Sequence, residues 1–200
     1  MARFNVIAAA MLVGLAHPIP AQELIPEFYA GVLGGLSPTY SQEARHWEDD
    51  HVFVSAGAFT GVNFRSESLL YGIEASVSTD FGKANQWEGF GWVPGAGQPS
   101  MSYSYYEVTA RPALSGRLGA SFENWTIFSK AGIGAALIST TTVSTTSTTD
   151  TSWTPTVNYG VGTEYNFGGY FVRGEIEMTQ FGDTNINAVT RANLGAGVVF

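Results

Sequence analysis

Ionisable side chains are scarce in this chain of 200 residues, 13% of the total, so their types and spacing bound its chemistry tightly. Of its three histidines, His17 lies in an apolar leader, while His46 and His51 share one stretch with Glu43, Glu48, Asp49 and Asp50. Imidazole and carboxylate groups this close together can ligate a metal or trade protons as general acid and base. A cluster of charges between apolar segments reads more simply as a solvated loop. On that reading no catalytic residue, no metal site and no cofactor is expected. Cysteine is absent, which excludes a disulfide framework, a cysteine zinc site and a thiol nucleophile. Nine Lys and Arg stand against 17 Asp and Glu, a net charge of −8. That balance is unsuited to a phosphate backbone, so nucleic acid is excluded as a partner.

The remaining charges follow a two-residue rhythm. Glu107, Arg111 and Arg117 are all odd-numbered, and so are Arg173, Glu175 and Glu177. In an extended chain alternate residues share a face. Each set therefore projects from one side of a strand, opposite Val108, Ala110, Leu114 and Leu118 in the first case and Tyr170, Val172, Ile176 and Met178 in the second. Carrying the rule to neighbouring segments adds Glu74, Lys130, Glu164 and Arg191 to the charged face, for five acids and five bases in all. Buried together, such groups would neutralise each other as a paired network.

The elements needed to position this face are eight period-two segments at 27–37, 52–64, 69–80, 103–120, 124–139, 153–167, 169–180 and 189–200. Short connections at 65–68, 121–123 and 168 alternate with long ones at 38–51, 81–102, 140–152 and 181–188. The uncharged face is rich in Ala, Val and Gly and is bounded by aromatics. Phe28, Phe64, Tyr71, Phe122, Trp125, Phe167, Tyr170 and Phe200 gather at the short-turn end, and Phe81, Tyr103 and Trp153 mark the other. Two aromatic belts around an apolar band are a membrane-interface pattern. Backbone polar groups in lipid must all be paired, which a sheet achieves only by closing on itself. The fold class expected is all-β: an eight-stranded antiparallel up-and-down transmembrane β-barrel with short periplasmic turns and long extracellular loops. Pro112 interrupts one strand, and a bulge or a missing ladder bond is expected beside it.

Residues 1–21 read as an export signal: Arg3, an apolar run of eleven residues at 6–16, then Pro18, Pro20 and Ala21. The run is too short to cross a bilayer as a helix, which takes about 20 residues. Residues 22–200 are then the barrel domain.

On these features the chain resembles the eight-stranded outer-membrane β-barrels of Gram-negative bacteria, the group of the OmpA transmembrane domain, OmpX and the porin-like surface antigens of alphaproteobacteria. The residues that carry the resemblance are Tyr159 to Tyr165, Arg173 to Glu177 with Phe181, Gly182 and Asp183, and the final Asn193 to Phe200. Within that last stretch Asn193, Gly195, Val198 and Phe200 fit the group's assembly signal. The resemblance implies recognition by the barrel-assembly machinery, outer-membrane lipids and lipopolysaccharide as surroundings, and a monomer. Some small barrels hydrolyse lipids with a rim histidine. The lipid A deacylases resembling this fold carry theirs in a late strand, whereas no histidine here follows His51. A non-enzymatic structural or surface-contact role is therefore expected, with the lumen filled by the Arg/Lys–Glu network. The alternatives are a narrow porin passing small solutes and an adhesin acting through its loops. Candidate contact residues are Trp87, Phe90 and Trp92 in one long loop and Thr145 and Thr146 in the Ser/Thr-rich stretch 139–152. The long loops hold a strong excess of acids over their two bases, Arg45 and Lys83, which disfavours anionic partners.

Overall fold

A computed structural model describes residues 25–39, 51–66, 68–81, 84–92, 99–143, 147–182 and 188–200. The export segment 1–21, His46, Thr145 and Thr146 lie outside them. Among the described residues nine strands run in chain order: β1 (Ile25–Thr39), β2 (His51–Ser66), β3 (Leu69–Phe81), β4 (Ala84–Trp92), β5 (Pro99–Phe122), β6 (Trp125–Val143), β7 (Ser147–Asn166), β8 (Tyr170–Phe181) and β9 (Val189–Val199).

Eight of them close a ring. Each pairs antiparallel with its chain neighbour; β3 pairs directly with β5, and β1 pairs with β9 from Tyr29↔Val199 to Leu36↔Ala192. Closure leaves no open edge within the apolar band, as lipid requires. The short turns lie at one end. Gly168 and Gly169 take the left-handed φ values of 78° and 94° there, and Asn166 Oδ1 accepts the Gly168 N–H at 3.0 Å.

Strand alternation sorts the side chains by solvent. Leu114, Ile176 and Leu194 face outward, Leu194 with 77% of its surface exposed, while Arg173 and Glu175 are buried in the lumen. Such apolar exposure has no place in water; it fits hydrocarbon. Phe122, Trp125, Phe167, Tyr170 and Phe200 ring the short-turn end on the outside, and Phe81 and Trp153 stand exposed toward the other end. Inward glycines leave room for rings: a Cβ on Gly31 would meet Phe59 Cζ and the Ala196 carbonyl at 2.5 Å.

The structure amends two sequence expectations and extends a hairpin. The connection 81–102 contains a strand, β4, which forms a hairpin with the outer part of β5 from Ala84↔Tyr106 to Trp92↔Pro99. The Ser/Thr-rich stretch 140–152, whose threonines favour strands, extends the hairpin beyond the ring, with β6 and β7 paired out to Val143↔Ser147. The outer parts of β4 to β7 thus form a sheet beyond the ring. Finally, Glu107 is exposed and is not in the lumen. The β5–β6 register shifts between Val108 and Ala110, then runs Ala110↔Leu137 to Ala113↔Gly134, passing over Arg111 and Pro112. One extra residue reverses the parity of everything beyond it. Odd positions face the lumen from Arg111 to Arg117, and Glu107 stands on the opposite face. The irregularity expected beside Pro112 is this one.

Candidate functional site

The lumen charges form two groups. The inner group, nearer the short turns, is built on Arg173. This side chain is 2% exposed; its guanidinium lies 2.7 Å from Glu74 Oε2 and 2.6 Å from Glu164 Oε1. Arg117 shares both carboxylates, at 2.9 Å from Glu164 and 3.8 Å from Glu74. Lys130 Nζ sits 2.7 Å from Glu177, 3.0 Å from Glu175 and 3.7 Å from Glu74. Neutral groups complete the shell: Tyr29 donates its hydroxyl to Glu74 at 3.0 Å, and Asn193 donates to Glu175 at 3.0 Å.

Aromatic rings back the cations. Tyr29, Phe59 and Phe171 stand with centroids 6.1 Å apart, pair by pair. The Arg173 guanidinium lies 4.0 Å from the Phe59 centroid and that of Arg117 4.1 Å from Phe128. These are cation–π distances, and such contacts strengthen when water is excluded. A pocket at the short-turn mouth is lined by Glu27, Tyr29, Asn63, Arg65, Thr126 and Glu164, with Glu27 and Arg65 paired at 2.9 Å on its rim.

The outer group lies toward the long loops. Arg111 and Arg191 converge on one carboxylate, Asp80, at 3.1 and 2.8 Å. Arg111 also donates to Ser78 at 2.7 Å and Arg191 to Thr179 at 3.2 Å.

Of the ten lumen charges expected from sequence, the structure gathers Glu74, Arg111, Arg117, Lys130, Glu164, Arg173, Glu175, Glu177 and Arg191 inside and leaves out Glu107. Asp80 takes the missing acid's place. Its signal was legible, since it shares even parity on β3 with Glu74. The residues of the terminal motif divide between the faces. Asn193 is buried in the lumen, Gly195 shares its face, and Val198 and Phe200 are exposed outside. Trp87, Phe90 and Trp92 fall on β4. No group of three or more metal-ligating side chains occurs among the described residues.

This set of residues holds charge and bridges strands. A nucleophile activated by a base is not part of it. No family model matches the sequence, and no curated protein matches it. Among solved structures the chain is similar to Ail, the attachment invasion locus protein of Yersinia pestis, solved with the heparin analogue sucrose octasulfate. The identity is 11% and the TM-score 0.51, over 90% of this chain and 100% of that one. It is also similar to a major outer membrane protein from Thermus thermophilus, at 12% identity and a TM-score of 0.54, over 88% of this chain and 100% of that one. At such identities the likeness is one of fold. With a closed antiparallel ring that is apolar outside and ionic within, the chain has the fold of the eight-stranded up-and-down outer-membrane β-barrels.

Proposed function

We propose that this protein is a non-enzymatic outer-membrane barrel that seals its own lumen and presents a sheet at the cell surface. The observation that carries the reading is the bridge from Arg173 on β8 to Glu74 on β3. These strands stand four places apart around the ring in either direction, so their 2.7 Å contact spans its diameter. An eight-stranded barrel is just wide enough for side chains to fill. Arg117, Lys130, Glu164 and the aromatic cluster occupy the space beside the bridge, which supports a closed path. In this reading residues 1–21 direct export and are removed. The assembly machinery reads Asn193, Gly195, Val198 and Phe200, and a monomer sits among lipid and lipopolysaccharide. Planar-bilayer recordings on pure protein test the seal: no steady conductance is expected. Steady open channels would overturn it in favour of a narrow porin.

The outer sheet supports surface contact as the second half of the role. Glu107 and Asp150 are exposed on it, and segments 84–92, 99–110 and 137–153 contain no Lys or Arg. Attachment is named for the Yersinia pestis protein; here the counterpart would be this sheet, meeting a neutral or cationic surface. Deleting 140–152 and measuring attachment of expressing cells tests it, with reduced attachment expected and unchanged attachment arguing against the hairpin.

A further inference from the structure

We infer, resting on the surface-contact reading above, that the outer part of β7 is a docking edge for an extended, cationic segment of a partner protein, which joins the surface sheet as a further strand. Among the described residues β8 accompanies β7 only as far as Thr156↔Phe181, with the Gly182 N–H donating to the Pro155 carbonyl at 2.8 Å. Beyond that point β6 stays paired with β7, without a register shift, out to Val143↔Ser147. Among the described residues, 147–154 therefore have a strand on one side alone. At about 3.4 Å per residue this edge is roughly 25 Å long. Sheet edges are ordinarily blunted by lysine, proline or a bulge. Residues 147–154 contain no lysine and no proline, and their pairing with β6 has no bulge.

The backbone fixes which groups face the open side. A strand residue points its N–H and C=O to the same side, and successive residues alternate. The Pro155 carbonyl turns away from β6, toward Gly182. Ser147, Thr149, Thr151 and Trp153 share its parity, so their main-chain groups face outward from the edge. Thr151 agrees: its N–H goes to the neighbouring side chain, where Asp150 Oδ1 accepts it at 3.1 Å. A strand added to a free edge draws its affinity from main-chain bonds, and side chains select it. Such a strand would take the Thr151 N–H and release the exposed Asp150 carboxylate to face a cation on the strand opposite. Segments 84–92, 99–110 and 137–153 hold no Lys or Arg to repel that partner.

A second copy of this chain does not suit the edge. β7 runs from its outer tip toward the membrane, as does β7 of any copy in the same membrane. Two such edges meet parallel, and a twofold axis along the membrane normal sets like groups at like heights, donor facing donor. The edge of β4 runs the opposite way, but its register with β5 shifts between Glu88 and Phe90, and a bulge turns an edge away from further pairing. A separate polypeptide running outward, antiparallel to β7, meets neither obstacle.

The probe is a short labelled peptide of alternating threonine and lysine, blocked at both ends, with binding read by fluorescence anisotropy in a neutral detergent. Lysines opposite Asp150 leave the threonine amides facing β7. N-methylation of the threonine amides should therefore abolish binding, while N-methylation of the lysine amides keeps it within about threefold. Thr149→Pro removes an outward N–H and no bond to β6, and should weaken binding about tenfold. No binding at millimolar probe, or equal binding of the two methylated peptides, overturns the docking edge even should the variant fail to fold. Sedimentation of the natural protein alone should show a monomer; a dimer that Thr149→Pro abolishes would give the edge to a second copy and overturn the partner. Cells expressing Thr149→Pro should attach as poorly as those lacking 140–152. Loss with the deletion alone overturns the edge and leaves the surface-contact reading standing, and loss with neither overturns both.

Discussion

Replacing Arg173 by Met measures how dry the lumen is. The substitution keeps a long apolar stem against Phe59 but strips the charge that contacts Glu74 at 2.7 Å and Glu164 at 2.6 Å. The inner group then holds four carboxylates with Arg117 and Lys130 alone to answer them. Removing one partner from a desolvated pair costs about 3–5 kcal/mol, because the survivor stays buried and unpaired. The same change in a water-filled channel would cost about 0–1 kcal/mol, the worth of a solvated pair. The two regimes do not overlap, so the magnitude decides between them. Urea unfolding in lipid vesicles gives it, provided the slope with urea is unchanged. A second variant, Glu74→Gln with Arg173→Met, removes both ends of the diametric bridge. It should recover part of the loss, with a coupling of roughly 0.5–3 kcal/mol. A single-variant loss under about 1 kcal/mol would refute the reasoning: water would then reach Arg173, and the sealed lumen would fail with it.

Leu194 lies midway along β9 facing lipid, so Leu194→Arg should lose about 2–4 kcal/mol of vesicle folding stability, while Trp125→Arg at the interface loses about 0–1 kcal/mol. Gly31→Ala places a methyl against Phe59 and the Ala196 carbonyl; the overpacking should destabilise by about 1–3 kcal/mol in the same unfolding measurement. Phe200→Ala removes an outward ring while keeping the backbone N–H that donates to the Phe28 carbonyl at 2.9 Å. It should leave unfolding in vitro within about 0.5 kcal/mol of the natural protein, yet lower the amount of folded barrel recovered from cell envelopes.

What could be read beforehand followed from the parity rule. A strand between lipid and lumen must alternate, and Arg173, Glu175 and Glu177 on β8 announce their face by number alone. Glu107 escaped the rule because a single extra residue between Val108 and Ala110 inverts it, and the sequence marks that place only by Pro112 close by. β4 escaped because it stands outside the ring, where nothing forces alternation; Trp87, Phe90 and Trp92 fall on both parities. The buried rings of Tyr29, Phe59, Phe128 and Phe171 share parity with polar lumen residues, so their inward face follows from the rule, while their gathering around the arginines does not. Nor does parity say who meets whom. That Arg173 reaches Glu74 follows from the stagger of eight strands around a closed ring, a property no single segment carries.

The pairing of β1 with β9 has a temporal consequence. Tyr29 and Val199 are partners although nearly the whole chain separates them. The cylinder therefore cannot shut until its last strand has been synthesised, and until then both bordering strands carry unsatisfied amides that hydrocarbon would reject. A chain interrupted before Val189 would lack the strand that joins β8 to β1, and its ring could not close.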